Sequence, residues 1–108
     1  MSNDVPYTFG RFTDRFPEVA SAHSQMGGNL DSAGPLDEKT RALVKIGICA
    51  GARLESALKS HVRRAREHGV STEEIEHAVV LGTNTLGFPA TVAAWQWAHK
   101  ALSEFDKG

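Results

Sequence analysis

The feature that most narrows the fold is a helix stop and a helix start packed into one short stretch, His68-Gly69-Val70-Ser71-Thr72-Glu73-Glu74. Gly69 is the residue type that enters the left-handed conformation at the end of a helix without steric penalty. Ser71 and Glu74 stand three apart, the spacing of a capping box, in which each side chain satisfies a backbone N–H of the other. A chain that closes one helix and opens the next so abruptly packs helix on helix. No alternating run rich in Val, Ile, Thr and aromatic residues competes, and no Asn-Gly or Asp-Gly pair marks a hairpin. The sequence therefore reads as all-α.

Other punctuation fills in the order. Residues 1–12 hold no sustained period, and 1–16 read as an N-terminal arm ahead of a helical domain over 17–108. Pro17 suits the first turn of a helix, which should fray near Gly27-Gly28 before Gly34-Pro35 breaks the chain. Asp37 is a good N-cap for the next helix, and Glu38 adds negative charge at its positive end. The segment ALVKIGICAGA that follows is apolar on nearly every side, which predicts a helix buried all round. Gly47 and Gly51 lie one turn apart within it. Each costs up to ~1 kcal/mol relative to alanine, so a closely packed neighbouring helix is expected. A break at Arg53 leads to a helix over 54–68. The helix opened by Ser71 is expected to reach Gly87, and one begun at Pro89 to reach about residue 105. That makes a bundle of about five to six helices.

Composition excludes more than it identifies. Twelve basic residues against thirteen acidic ones leave no charge excess to attract nucleic acid or an anionic membrane. The single cysteine, Cys49, rules out a disulfide within the chain and fits a reducing compartment. The start MSNDVPYTFGRF has no apolar run after a basic segment, so no secretory leader is expected. The longest apolar run is too short to cross a bilayer. A cytoplasmic protein is the expectation. Several helices look apolar around more than half their girth, which points to self-association.

One histidine stands out. At ~100° per residue, Leu54, Leu58, Val62 and Ala65 share one face, and His61 falls within it. Lys59, Arg63, Arg66 and Glu67 lie opposite, so the RRAR run is first of all a solvated face, with no interleaved aromatics to suggest nucleic-acid binding. A histidine on a buried face either finds a hydrogen-bond partner or borders a cavity. It is also the side chain best suited to move protons at neutral pH. Both readings, satisfied core histidine and proton carrier, stay open on spacing alone. His23, His61, His68, His77 and His99 are too scattered for a metal site, and no metal or other cofactor is expected.

The series LDEKTRALV, a buried helix, LKSHVRRAREHGVSTEEIEHAVV and then LGFPA resembles the carboxymuconolactone decarboxylase family, which includes the AhpD-like alkylhydroperoxidases. The match runs over roughly residues 17–105. The resemblance implies an all-helical, AhpD-like bundle that assembles into dimers, trimers or hexamers. It also implies chemistry on a small molecule. The peroxidase-like members carry a Cys-x-x-Cys pair ahead of the histidine and a glutamate upstream; here those positions are Leu54, Ala57 and Ala42, while the histidine matches His61. Without a resolving thiol, peroxiredoxin-type turnover is not expected.

The decarboxylase-like branch also lacks the pair and is the nearer match. In it, Leu58, His61 and Arg63 match a leucine, histidine and arginine pattern, and Arg41 matches the arginine of LxxKTR. The implied reaction is that of a lyase without cofactor: a carboxylated γ-lactone loses carbon dioxide and receives a proton. Arg41 or Arg53 would hold a carboxylate, with His61 as the acid. A second histidine and a tyrosine of that branch fall on Leu81 and Thr85, and His77, one turn before Leu81, could reach a similar volume. A non-catalytic oligomer that keeps the fold is the remaining alternative.

Overall fold

In a computed structural model, residues 7–107 of the chain are described. Among them are seven helices and no strand: α1 Tyr7–Arg15, α2 Pro17–Asp31, α3 Glu38–Gly51, α4 Glu55–Glu67, α5 Thr72–Val80, the single turn α6 Thr83–Leu86, and α7 Phe88–Lys107. The chain divides into two compact units, Met1–Pro35 and Leu36–Gly108.

The first unit is a pair of helices. Its first six residues lie outside the described residues, but α1 is a helix where an irregular arm was expected. The signal was present: Phe9, Phe12 and Phe16 recur at three and four residues, the helical period, and Gly10 obscures it. The Phe12 and Phe16 rings meet with centroids 5.2 Å apart. Pro17 opens α2, as its missing N–H allows, and α2 runs past Gly27-Gly28 to Asp31. No residue of α2 is buried. The unit holds an open apolar cleft lined by Phe9, Phe12, Pro17, Val19, Ala20 and His23.

The second unit carries the core. Ile46, Cys49 and Ala50 of α3 pack with Leu58, Val62 and Ala65 of α4, with Val70, and with Ile75 and Val79 of α5. α7 meets them along Ala94, Ala98 and Ala101, small residues at helical spacing that let α4 and α7 approach closely. Trp97 packs on this core, whereas Trp95 stays 38% exposed. Caps fix the helix starts. The Asp37 side chain accepts from the Thr40 N–H at 2.8 Å, and those hydrogen bonds hold its carboxyl below the usual range. In the capping box, Glu74 N–H donates to Ser71 Oγ at 3.0 Å and Ser71 N–H to Glu74 Oε1 at 2.8 Å. The hydrogen bonds of Ser71 likewise lower the Glu74 pKa. Gly69 ends α4 at φ 85°, the left-handed conformation the sequence required.

Two expectations for α3 and α5 need correction. α3 is not buried all round: Val44 is 46% and Ile48 60% exposed. Nor do its glycines admit one of the long helices of this unit. A Cβ on Gly47 would meet nothing within 4 Å, and one on Gly51 only the Leu86 side chain, at 3.6 Å. The helix begun at Ser71 also stops at Val80 rather than continuing to Gly87. Thr83 Oγ1 donates to the Val80 carbonyl at 2.7 Å, so a side chain satisfies a group the next helical turn would have used.

Candidate functional site

α3 and α4 are joined by only 52–54, and a short connection makes such helices antiparallel neighbours. His68 Nδ1 lies 3.2 Å from Glu38 Oε2, which ties the end of α4 to the start of α3. Along the pair, Lys45 of α3 comes close enough to His61 of α4 for its charge to act on the ring. The α4 ridge of Leu58, Val62 and Ala65 is buried, and His61 sits half-buried at its edge, where the helical angle put it.

The imidazole has an unusual setting. Burial pushes the His61 pKa below its ordinary value, and the positive charges of Arg64 and Lys45 push it further the same way. Among the described residues it has no hydrogen bond and no carboxylate partner. The other two histidines of this unit that meet a carboxylate do so closely: His68 with Glu38, and His99 Nε2 with Glu76 Oε2 at 2.9 Å. A neutral imidazole under the charge of two cations can still accept a proton, and it gains affinity for one when an anion comes near.

The other residues singled out from sequence fall in several places. Arg41 is half-buried on α3, one turn before Lys45, but its Nη1 donates to the Leu36 carbonyl, back toward the helix start. Arg53 is exposed in the turn after α3 and takes φ 60°, a left-handed conformation usually left to glycine. Leu81 is 63% exposed just beyond α5, Thr85 is exposed on α6, and His77 is exposed on α5. No hydrogen bond links these last three to His61 among the described residues. Arg63 is half-buried. Arg66, in the same basic run, is structural. It donates from Nη1 to the Val70 carbonyl at 3.1 Å and lies 5.2 Å over the Phe105 ring, pinning the end of α7 to α4.

The sequence reading missed Lys45. Its signal is that it is the lone charge in ALVKIGICAGA; its meaning depends on pairing across two helices. Cys49 lies buried on α3, and burial pushes its thiol pKa up, away from the thiolate. Among the described residues no three side chains of metal-binding type converge. No helix there is long and apolar enough to cross a membrane.

Comparison with known proteins agrees with this architecture. The crystal structure of an apo carboxymuconolactone decarboxylase family protein from Legionella pneumophila superposes with a TM-score of 0.78 at 20% identity, covering 91% of this chain and 87% of that one. At that identity the likeness is one of fold. A 4-carboxymuconolactone decarboxylase of Acinetobacter baylyi is 26% identical over 102 residues, 94% of this chain and 69% of that protein. An uncharacterized protein of Methanocaldococcus jannaschii is 27% identical over 103 residues and is matched over 99% of its length. A Haemophilus influenzae protein, also uncharacterized, is 27% identical over 64 residues, and the chain spans only 57% of its length. The model of the carboxymuconolactone decarboxylase family matches residues 17–100. With most of its length matched by that model, the chain belongs to the carboxymuconolactone decarboxylase family.

Proposed function

We propose that the protein is a cofactor-free enzyme that transfers a proton in the decarboxylation of a small carboxylated lactone or related acid, with His61 as the proton-transfer group. The observation that carries this reading is the His61 imidazole, half-buried, without a partner among the described residues and flanked by Lys45 and Arg64. A half-buried imidazole with two cations acting on it and no carboxylate beside it is suited to meet an arriving anion. The name of the Acinetobacter relative supplies the substrate class.

The chemistry follows from charge. A carboxylated lactone enters as an anion, and Lys45 and Arg64 attract it, with Arg41 one turn along α3 as a further cation. The negative charge beside the imidazole raises its affinity for a proton, so binding arms the acid. The carbon–carbon bond to the departing carboxylate then breaks. Carbon dioxide leaves, and the electron pair stays on the lactone carbon, delocalised as a dienolate. The cations offset that charge, and imidazolium delivers its proton to carbon, ending neutral. Lys45 thus takes much of the role the sequence reading gave to Arg41 or Arg53. Peroxide chemistry finds less support: the one cysteine is buried, and its thiol is held protonated.

The test is carbon dioxide release from γ-carboxymuconolactone without added metal, with wild type beside His61→Gln. Turnover should fall by roughly 10²–10⁴-fold in the variant, while its circular dichroism stays that of wild type. Equal turnover in both proteins would remove His61 from the reaction. No turnover in either would remove this lactone as substrate.

A further inference from the structure

The two halves of α3 are held differently. Its buried residues, Ile46, Cys49 and Ala50, all follow Lys45 in the chain. Ahead of Lys45, Ala42 and Leu43 reach the core only in part, and Glu38, Lys39 and Thr40 are exposed. Polar contacts tie down this front half instead. Glu38 Oε2 lies 3.2 Å from His68 Nδ1, at the end of α4. Lys39 Nζ lies 3.7 Å from Glu74 Oε1, at the start of α5. Neighbouring residues of α3 thus hold two different helices. Pairs as exposed as these add little to global stability. They can therefore come apart locally while the core stays folded.

The register of the helix pair connects these contacts to the candidate site. Glu38 and Lys45 stand seven residues apart on α3, and so do His61 and His68 on α4. Seven residues make about two helical turns and return a side chain to the same side of its helix. In antiparallel neighbours, two turns toward the connection from the Glu38–His68 contact bring Lys45 level with His61. The connection agrees: Arg53, its middle residue, is eight residues from each of them. Besides Arg64 of its own helix, the charge acting on the His61 ring is that of Lys45, and no carboxylate of α3, α5 or α7 pairs with the ring among the described residues. Lys45 is the last residue ahead of the buried set, so it moves with the front of α3. Coulomb repulsion falls with distance, and a swing of that front changes how strongly the ammonium acts on the ring.

We infer that the Glu38–His68 and Lys39–Glu74 contacts form a positioning clasp for the candidate site, holding the front of α3 so that the Lys45 charge stays on the His61 ring. What the clasp means for turnover rests on the proposed role of His61, because a loosened Lys45 attracts and offsets less negative charge there. The position of Lys45 is itself read without substrate. A chain that leaves the lactone untouched still answers that question, and a failed clasp leaves proton transfer by His61 standing.

The experiment follows the His61 ring resonances of the full chain by NMR across pH, assigned by their loss in His61→Gln. Glu38→Ala combined with Lys39→Ala removes both contacts and keeps Lys45 and Arg64. The His61 titration should move to higher pH by at least half the rise that Lys45→Met alone produces, with the circular dichroism of wild type. In the Lys45→Met background the same two changes should move it no further. That cycle separates displacement from charge: a direct effect of the two lost side chains on the ring would persist once Lys45 is gone. Should the double variant unfold, His68→Ala decides in its place. It must raise the titration in the same Lys45-dependent way, whereas His68→Lys, which keeps a cation opposite Glu38, must not. The inference is overturned if the deciding variant leaves the titration unmoved or raises it equally with and without Lys45. A Lys45→Met variant that titrates like wild type overturns it too, since the clasp would then hold no charge on the ring.

Discussion

Two half-exposed histidines of the same helical unit show opposite uses of one side chain. His99, on α7, reaches across to α5, where its Nε2 meets Glu76 Oε2 at 2.9 Å. Its ring lies on Trp95, with centroids 4.2 Å apart and planes inclined by 35°. His61, on α4, feels the charges of Arg64 of its own helix and Lys45 of α3, with no carboxylate partner among the described residues. The first arrangement joins two helices and satisfies itself. The second leaves an imidazole that its own chain does not satisfy and two cations that disfavour its protonation. Such a site gains from an arriving anion, whereas the His99 site already contains one.

Lys45→Met sharpens that contrast most. The methionine keeps the apolar stem and removes the charge. Turnover of the lactone should fall by roughly 10²-fold, the scale on which single groups that offset developing charge act. The His61 ring resonances should meanwhile titrate at higher pH than in wild type, because one of the two repelling charges is gone. An unmoved His61 titration would show that Lys45 does not face the ring, and the α3–α4 site would lose its second member.

How much of this was legible in the sequence depends on the range of the cause. The Ser71–Glu74 box and the Asp37 cap are contacts between residues three apart, and both form as read. The place of His61 at the edge of the buried ridge follows from helical angle alone, whereas the basic run is less solvated than its angle suggested: Arg64 is exposed, but Arg63 and Arg66 are half-buried. Lys45 was out of reach because its partner lies on another helix. Arg41 matched a motif, yet a local carbonyl, that of Leu36, takes its guanidinium. The apolar girth of α3 was real, but hydrophobicity does not say which chain will cover it, and within this unit Val44 and Ile48 stay open. α1 was lost because a glycine interrupts the run of phenylalanines.

The opposite arm of the comparison is tested at His99. His99→Ala, Glu76→Gln and the double variant form a cycle whose coupling should be about 0.5–1.5 kcal/mol in urea unfolding, as expected of a partly exposed hydrogen-bonded pair. The stack on Trp95 should make His99→Ala the more damaging single change. Turnover per folded molecule should be that of wild type in all three. A loss of turnover like that of His61→Gln would break the division between a structural and a reactive histidine.

The smallest effect is the most direct reading of the His61 environment. Its folded pKa lies below that of an ordinary histidine, because burial and two cations disfavour the charged ring. As pH falls through the ordinary value of about 6.5, the unfolded chain takes up a proton at residue 61 before the folded protein does. Stability that is fully present above that pH is therefore lost progressively as pH drops toward the folded value. His61→Gln has no proton to bind there. Asp37 and Glu74, whose depressed pKa values also favour the folded state, lose that contribution only in the lower, carboxylate range and do so equally in both proteins. The melting temperature of wild type should thus decline relative to that of His61→Gln as pH is lowered from about 6.5. Parallel curves across that window would mean that the ring protonates as easily in the fold as out of it, and that the cations stand too far away to prepare it for an anion.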